Sequence, residues 1–326
     1  MAHQVTLVPG DSTGPEHCHA VQRIIDAAGV DIEWDEHPAV GGTIPPELMD
    51  SARRTKVVLM GHQHGKRDAG LPAPIVSLRR QLGVFAALRP AISVPALQPR
   101  FPDVDLVVVR ETTEDIYASL EHESIPGVFE SLKVTTRAAC ERIARFAYEV
   151  ATRFERRKVT IVHKANILKK ADGLFLSVCR EIGAEYPDIE TEDVIVDALC
   201  MKLALTPESF DVLLCGNLFG DIVGDLVSGL VGGRSNCPSV NVGPKGLALF
   251  STGHGDPLSE IGTGRGNPLS LFWAAVLMLR QLEEDEAADR VRSALEDTLH
   301  AGIRPIGAGG EASSNAFAEA VAGRLG

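Results

Sequence analysis

The sequence predicts an α/β protein with a largely parallel sheet, divided into two domains. Two observations predict it. Short apolar, β-branched runs alternate with longer stretches whose apolar residues recur at helical spacing, the pattern of strands joined by crossover helices. Two Pro/Gly-rich stretches, "RPAISVPALQPRFPDVD" at 89–105 and "GGRSNCPSVNVGPKG" at 232–246, bracket a continuous middle region. A chain that crosses between domains twice makes its middle an insert. The expected division is therefore 1–95 plus 232–326 for a large domain, and 96–231 for a smaller one.

The elements follow in order. "QVTLVP" reads as a strand, and "PEHCHAVQRIIDAAG" as a helix, with Val21, Ile24, Ile25 and Ala28 on one face. "KVVLMG", "DLVVVR", "KVTIVH", "DVIVDALC" and "FDVLLCG" are further strand candidates, most with a helical pattern after them. The acidic run "QLEEDEAADR" at 281–290 reads as a solvated helix face. There is no internal repeat and no low-complexity segment.

Composition narrows the function. The 326 residues are 44% hydrophobic and 23% charged, ample for a sizeable core and unlike a disordered chain. A net charge of -12 argues against nucleic acid or an anionic membrane as the main partner. No apolar run reaches transmembrane length, and the N-terminus carries no signal-peptide pattern. The six cysteines form no paired framework; they read as reduced core residues, which predicts a cytoplasmic protein.

"GNLFGDIVGDLVSGLVGG" at 216–233 is apolar except for Asp221 and Asp225, four residues apart and so on one face of a helix. The pair is either a solvated polar stripe or a site where a hard cation turns repulsion into coordination. "HCH" at 17–19 is not a zinc site, because residues two apart on a helix diverge and no second pair lies at finger spacing. "GHQHGKRD" at 61–68 reads as a polar loop. "GTGRGN" at 262–267 neither follows a strand nor has a third glycine at the right spacing, so no Rossmann fingerprint is present. Arg79, Arg89 and Arg110 are cations beside apolar runs, suited to gripping carboxylates. Tyr117 follows Arg110 in "RETTEDIY", Lys164 ends the strand of "TIVHKANI", and Asp197 closes "DVIVD". Strand ends are where open α/β sheets bind ligands. Together these side chains form a kit for a polyanionic substrate bridged to a divalent metal.

At these residues the chain resembles the metal-dependent β-decarboxylating dehydrogenases, namely the isocitrate, isopropylmalate and homoisocitrate enzymes. The likeness runs almost end to end, through "LVPGDSTGPE", "LRRQLGVFAALRP", "VVVRETTEDIYA", "VHKANILKKADGLFLSVCRE", "GNLFGDIVGDLVSGLVGG" and "HGDPLSEIGTGRGNP". In the middle region the wording is nearest the NAD-dependent isocitrate and homoisocitrate branch. The resemblance implies an isopropylmalate dehydrogenase-like two-domain fold and a homodimer with shared active sites. Arg79, Arg89 and Arg110 would bind substrate carboxylates, and Asp221 and Asp225 would bind Mg²⁺ or Mn²⁺, with Asp197 supplied by the partner subunit. Lys164, also crossing the interface, would take the 2-hydroxyl proton, and Tyr117 would protonate the enol. Asn166, His254, Gly255, Glu260 and Asn267 would line an NAD site built around the His-Gly segment, with Glu260 as acceptor for the ribose hydroxyls.

Departures from the family pattern stand at Ala87, Thr112 and Ala198, where Asn is usual, at Ser251, where Glu is usual, and at Ser12, the second Gly of "GDG". They point to a specialised substrate or an altered cofactor fit, with some loss of activity as the other outcome. Ile75 and Val76 would give an apolar wall of isopropylmalate type, while Lys66 and Arg67 would suit an anionic tail, as in homoisocitrate or a phosphono analogue of a malate. The expected function is NAD-dependent oxidative decarboxylation of a 3-substituted malate. Its rivals are a non-catalytic regulatory subunit or binding protein of the family, and an ordinary isocitrate dehydrogenase.

Overall fold

A computed structural model describes residues 2–38, 44–63, 74–253 and 260–326. Strands and helices are numbered in chain order. The chain forms two compact units, Met1–Gly83 with Val94–Pro99 and Gly232–Gly326, and Val84–Ser93 with Arg100–Val231.

In the first unit the strands run in the order β2 (Ile32–Glu36), β1 (His3–Val8), β3 (Val57–Met60), β12 (Ala248–Thr252) and β11 (Pro238–Val242). The first four are parallel, and β11 is antiparallel to β12. The apolar runs of β1 and β3 are buried without alternation, as strands covered on both faces require. Helix α1 (Gly14–Ala27) buries Val21, Ile24 and Ile25, the face read from the sequence. Helix α8 (Leu269–Gln281) is buried nearly all round and packs on β11 and β12.

The second unit has the order β4 (Ala86–Ile92), β5 (Asp105–Glu111), β10 (Val212–Cys215), β8 (Lys158–His163) and β9 (Glu190–Ile195). All are parallel except β4, which runs antiparallel to β5. Because Ala86 to Ile92 pair residue by residue with β5, this stretch goes with the second unit and not with 1–95. Helices α4 (Arg137–Arg153), α5 (Ala171–Gly183), α6 (Val196–Leu205) and α7 (Asn217–Leu230) complete the unit, together with an exposed hairpin of β6 (Glu121–Ile125) and β7 (Val128–Ser131). The expected strand at "DVIVDALC" lies further N-terminal. β9 ends at Ile195, and Asp197 sits in the first turn of α6 rather than at a strand end.

Parallel register decides where the chemistry lies. Cys215 of β10 pairs with Arg110 of β5 and Val162 of β8, and His163 pairs with Ile195 of β9. Arg110, Lys164, Asp197 and the start of α7 are therefore all delivered to the carboxyl ends of neighbouring strands. Among the described residues no helix is long and apolar enough to cross a membrane.

Candidate active site

Helix α7 is apolar where it meets the sheet, burying Val223, Val227 and Leu230. Gly220 and Gly224 set how close it lies. A Cβ on Gly220 would fall 2.6 Å from Cγ of Arg110, and one on Gly224 would fall 3.5 Å from Cγ of Arg89. Any side chain at Gly220 would push the helix off β5. The close approach brings Asp221, half-buried, against the end of Arg110, while Asp225 one turn later is exposed.

Arg110 is 8% exposed at its side chain, and its guanidinium is clamped. Nε and Nη2 both donate to Oδ1 of Asn217, at 3.0 and 2.7 Å, and Nη1 donates to Oδ1 of Asp221. Asn217 is held in turn by donating 3.0 Å to the Glu114 carbonyl. The hydroxyl of Tyr117 donates to the other oxygen of Asp221, and the Arg110 guanidinium lies over the tyrosine ring at 5.1 Å. Partial burial, then the hydrogen bond donated to the Asp221 carboxylate, raises the Tyr117 pKa above the ordinary phenol value; Arg110 opposes the shift. The structure thus joins Arg110, Tyr117 and Asp221 in one cluster.

A second cluster holds Lys164, whose Nζ donates to Asp197 and keeps that carboxyl below the usual carboxylate range. The peptide around Lys164 is fixed by side chains the sequence pattern did not single out. The Lys164 N–H donates 2.7 Å to Asp172, and the next N–H, of Ala165, donates 3.0 Å to Nδ1 of His163. An Nδ1 that accepts from the backbone leaves the proton on Nε2, which lies 3.0 Å from Asp193. Asn217, His163 and Asp172 escaped sequence reading because their work is directed at other protein groups. The visible signal was their place beside Arg110, Lys164 and α7 in the quoted motifs.

The remaining expected residues are less gathered. Asn166 is exposed in the loop after β8, and Arg79 is half-buried in the last turn of α3 (Pro74–Gln81). Glu260 is half-buried in a turn where its carbonyl accepts from the Thr263 N–H at 3.2 Å and hydroxyl at 2.8 Å. Asn267 is buried; its amide donates 3.1 Å to Asn236 and its Oδ1 accepts from the Leu269 N–H at 3.1 Å, at the start of α8. That side chain anchors the helix. His254 and Gly255, with Lys66, Arg67 and most of "GHQHGKRD", lie outside the described residues. Of the departures, Ala87 is buried on β4 opposite Arg110, and Thr112 replaces an amide with a hydroxyl donating 3.2 Å to the Val84 carbonyl. Ser251 is buried in β12.

A hard divalent cation takes oxygen ligands, and Asp221 and Asp225 supply carboxylates one helical turn apart with access to solvent. Among the described residues no three His, Cys, Asp or Glu side chains converge as a metal set within one chain. Asp197 is engaged with Lys164 instead. The donor chemistry therefore fits Mg²⁺ or Mn²⁺ when a further carboxylate comes from outside the chain.

Comparison with known proteins places these motifs. The profile of one protein family, described as isocitrate/isopropylmalate dehydrogenase, matches residues 4–321. An Arabidopsis thaliana protein named isocitrate dehydrogenase [NAD] catalytic subunit 5, mitochondrial, is 41% identical over 98% of this chain and 88% of its own length. The chloroplastic 3-isopropylmalate dehydrogenase of Solanum tuberosum is 42% identical over 93% of this chain and 87% of its own. An Arabidopsis isocitrate dehydrogenase [NAD] regulatory subunit is 40% identical over 98% and 89%. Among solved structures, isocitrate dehydrogenase from Methylococcus capsulatus superposes with a TM-score of 0.91 at 39% identity, covering 99% of each chain.

Proposed function

The chain belongs to the isocitrate/isopropylmalate dehydrogenase family, and on that footing we propose that it oxidises and decarboxylates a 3-substituted malate with NAD, yielding a 2-oxo acid and CO₂. It is an enzyme acting on a CH–OH group. The observation that carries the reading is the cluster of Arg110, Tyr117 and Asp221 at the strand ends, with a preset donor, a protonated phenol and a carboxylate in direct contact.

Each side chain has a task its chemistry suits. A guanidinium has five N–H donors; Asn217 and Asp221 occupy three of them, which leaves one on each Nη for a substrate carboxylate. Arg89, its stem against Gly224, and Arg79 would take the other carboxylates. Lys164 takes the 2-hydroxyl proton as hydride leaves C2 for nicotinamide. Loss of CO₂ from the resulting β-keto acid leaves an enolate, and Tyr117, which holds its proton at neutral pH, delivers that proton to carbon, giving the 2-oxo acid. Asp221 and Asp225, with Asp197 from a second copy of the chain, would hold Mg²⁺ or Mn²⁺, which supplies Lewis-acid stabilisation of the charge built on the 2-oxygen.

A homodimer with shared sites is part of the proposal. It is supported by the exposed β6–β7 hairpin, where Phe129 is 75% exposed beside Ile125 and Val128, and by the pairing of Lys164 with Asp197 away from Asp221. NAD is preferred because Glu260 offers a carboxylate that accepts from ribose hydroxyls and repels a 2′-phosphate. A malate of isopropylmalate or homoisocitrate type, or its phosphono analogue, is the proposed substrate, and all six cysteines being free supports a reducing, cytoplasmic setting.

The test is a panel of isocitrate, homoisocitrate, 3-isopropylmalate and 3-(phosphonomethyl)malate with Mn²⁺ and either NAD⁺ or NADP⁺, followed by nicotinamide absorbance. NAD⁺ reduction with one of the last three is expected. Isocitrate as best substrate, or NADP⁺ as best cofactor, overturns that part of the reading. No turnover with any of them favours the regulatory reading, which the 40% identical regulatory relative keeps in view.

A further inference from the structure

Lys133 lies just after the exposed hairpin, yet its side chain turns back into the second unit and is mostly buried. Its Nζ sits 3.1 Å from Oδ2 of Asp115 and 3.1 Å from Oδ1 of Asp172. Both aspartates are almost completely buried, at 4% and 2% exposure. Two buried carboxylates would repel each other and lack hydration; one ammonium between them offsets both penalties.

The remaining bonds of these aspartates reach the proposed catalytic groups. Asp115 accepts from the N–H of Ile116 at 2.8 Å, the residue before Tyr117, and from the N–H of Leu218 at 3.1 Å, in the turn of α7 that leads to Asp221. Asp172 accepts from the N–H of Lys164 itself at 2.7 Å. One side chain therefore ties together the segments carrying Tyr117, Asp221 and Lys164. Asp115 also stands at φ 73°, ψ -154°, a backbone region natural to glycine, and it keeps that strain only because its surroundings over-determine it. The bridge borders a cavity of about 30 Å³, where Asp115, Lys133 and Asp172 meet apolar side chains such as Phe175 and Phe219, room for a water to enter if the ammonium is lost.

We propose that Lys133 is a positioning residue, whose ammonium, shared by Asp115 and Asp172, holds in place the segments that present Tyr117 and Asp221 to one substrate and Lys164 to the site shared with the second copy of the chain. The proposal rests on the assignment of Lys164 as base and Tyr117 as acid. Misplacing a reacting group by about 1 Å can slow a reaction about 10²-fold without changing affinity, so the effect belongs in kcat.

The experiment compares Lys133→Gln and Lys133→Arg with Lys164→Met and Tyr117→Phe, using the best substrate of the panel above, NAD⁺ and Mn²⁺. Thermal melting and circular dichroism verify folding. Folded Lys133→Gln is expected to lose about 10- to 100-fold in kcat with substrate KM within about threefold of wild type. If Lys133→Gln does not fold, Lys133→Arg decides, because it keeps the charge but replaces a compact ammonium with a wide planar fork; the same kcat loss is expected. A deciding variant with wild-type kcat overturns the proposal, as does one in which only KM changes. Should Lys164→Met and Tyr117→Phe themselves retain turnover, the underlying assignment fails, which is distinguishable from failure at Lys133 alone.

Discussion

The two units share a design and differ in what they bury. Each carries a five-strand row with one antiparallel strand at its end. Among the described residues, every buried charged side chain, Arg110, Glu111, Asp115 and Asp172, belongs to the second unit. Among its described residues the first unit buries only neutral hydroxyls and amides and the histidines His17 and His62 beside its apolar core. Burying charge is costly unless it is paired, so charge persists where its geometry is used. The difference teaches that the second unit commits buried charge to its chemistry, whereas the first, in which Glu260 and Asn267 would line the NAD site, keeps its described charged side chains at least partly exposed.

The largest effect that can break this comparison comes from Lys164 and Asp221. Lys164→Met and Asp221→Asn should each fold and each lose about 10²–10⁴ in kcat, the range for removing an acid–base or charge-stabilising group. If sites are shared, a heterodimer of the two inactive chains has one doubly damaged and one intact site. Random exchange should then recover about a quarter of wild-type activity. Demonstrated heterodimers with no activity would place each site within a single chain and remove the reason for the split between the Asp221 and Lys164 clusters.

Much of this was legible before any coordinates, because periodicity and register are short-range properties. The runs "QVTLVP", "KVVLMG", "DLVVVR", "KVTIVH" and "FDVLLCG" are β1, β3, β5, β8 and β10, and parallel pairing aligns their ends without further information. What escaped was set by partners distant in sequence. β4 looked like a domain crossing because Pro90 sits in it, and only its antiparallel pairing with β5 makes it a strand. "DVIVDALC" has the composition of a strand throughout, yet β9 ends where its register with β8 ends at His163, and α6 takes Asp197. The apolar spacing around Asp221 and Asp225 taken alone favours a solvated stripe over a cation. The contact of Asp221 with Arg110 and Tyr117 spans 111 and 104 residues, a separation no local pattern encodes.

His163 offers a smaller and more discriminating test of the second unit. Its Nδ1 accepts from the Ala165 N–H, and its Nε2 meets Asp193, which Arg180 also engages. An asparagine carbonyl can occupy the place of Nδ1, whereas a glutamine amide reaches only the place of Nε2. His163→Asn should therefore stay within about threefold of wild-type kcat, and His163→Gln should fall about 10-fold, the scale of a lost orienting bond. Equal loss in both variants would mean that the imidazole acts by filling space, and the peptide of Lys164 needs no such anchor.

The smallest effect belongs to the first unit, at Ser12, where the family's second glycine of "GDG" is replaced. Ser12 adopts φ 61°, a left-handed conformation in which an L side chain costs about 1 kcal/mol or more relative to glycine. Its hydroxyl is buried with no hydrogen-bond partner among the described residues, a second penalty of about 1 kcal/mol. Against these stands the greater chain entropy of glycine when unfolded, about 0.4–1 kcal/mol. Ser12→Gly should on balance stabilise the protein by about 1 kcal/mol, seen as a rise of about 2 °C in Tm. If the first unit is a scaffold at this position, kcat and the KM for NAD should stay within about twofold, since only strain has been removed. A lower Tm would show that the hydroxyl is engaged, and an unchanged Tm with a several-fold rise in the KM for NAD would make Ser12 a further cofactor contact of the first unit.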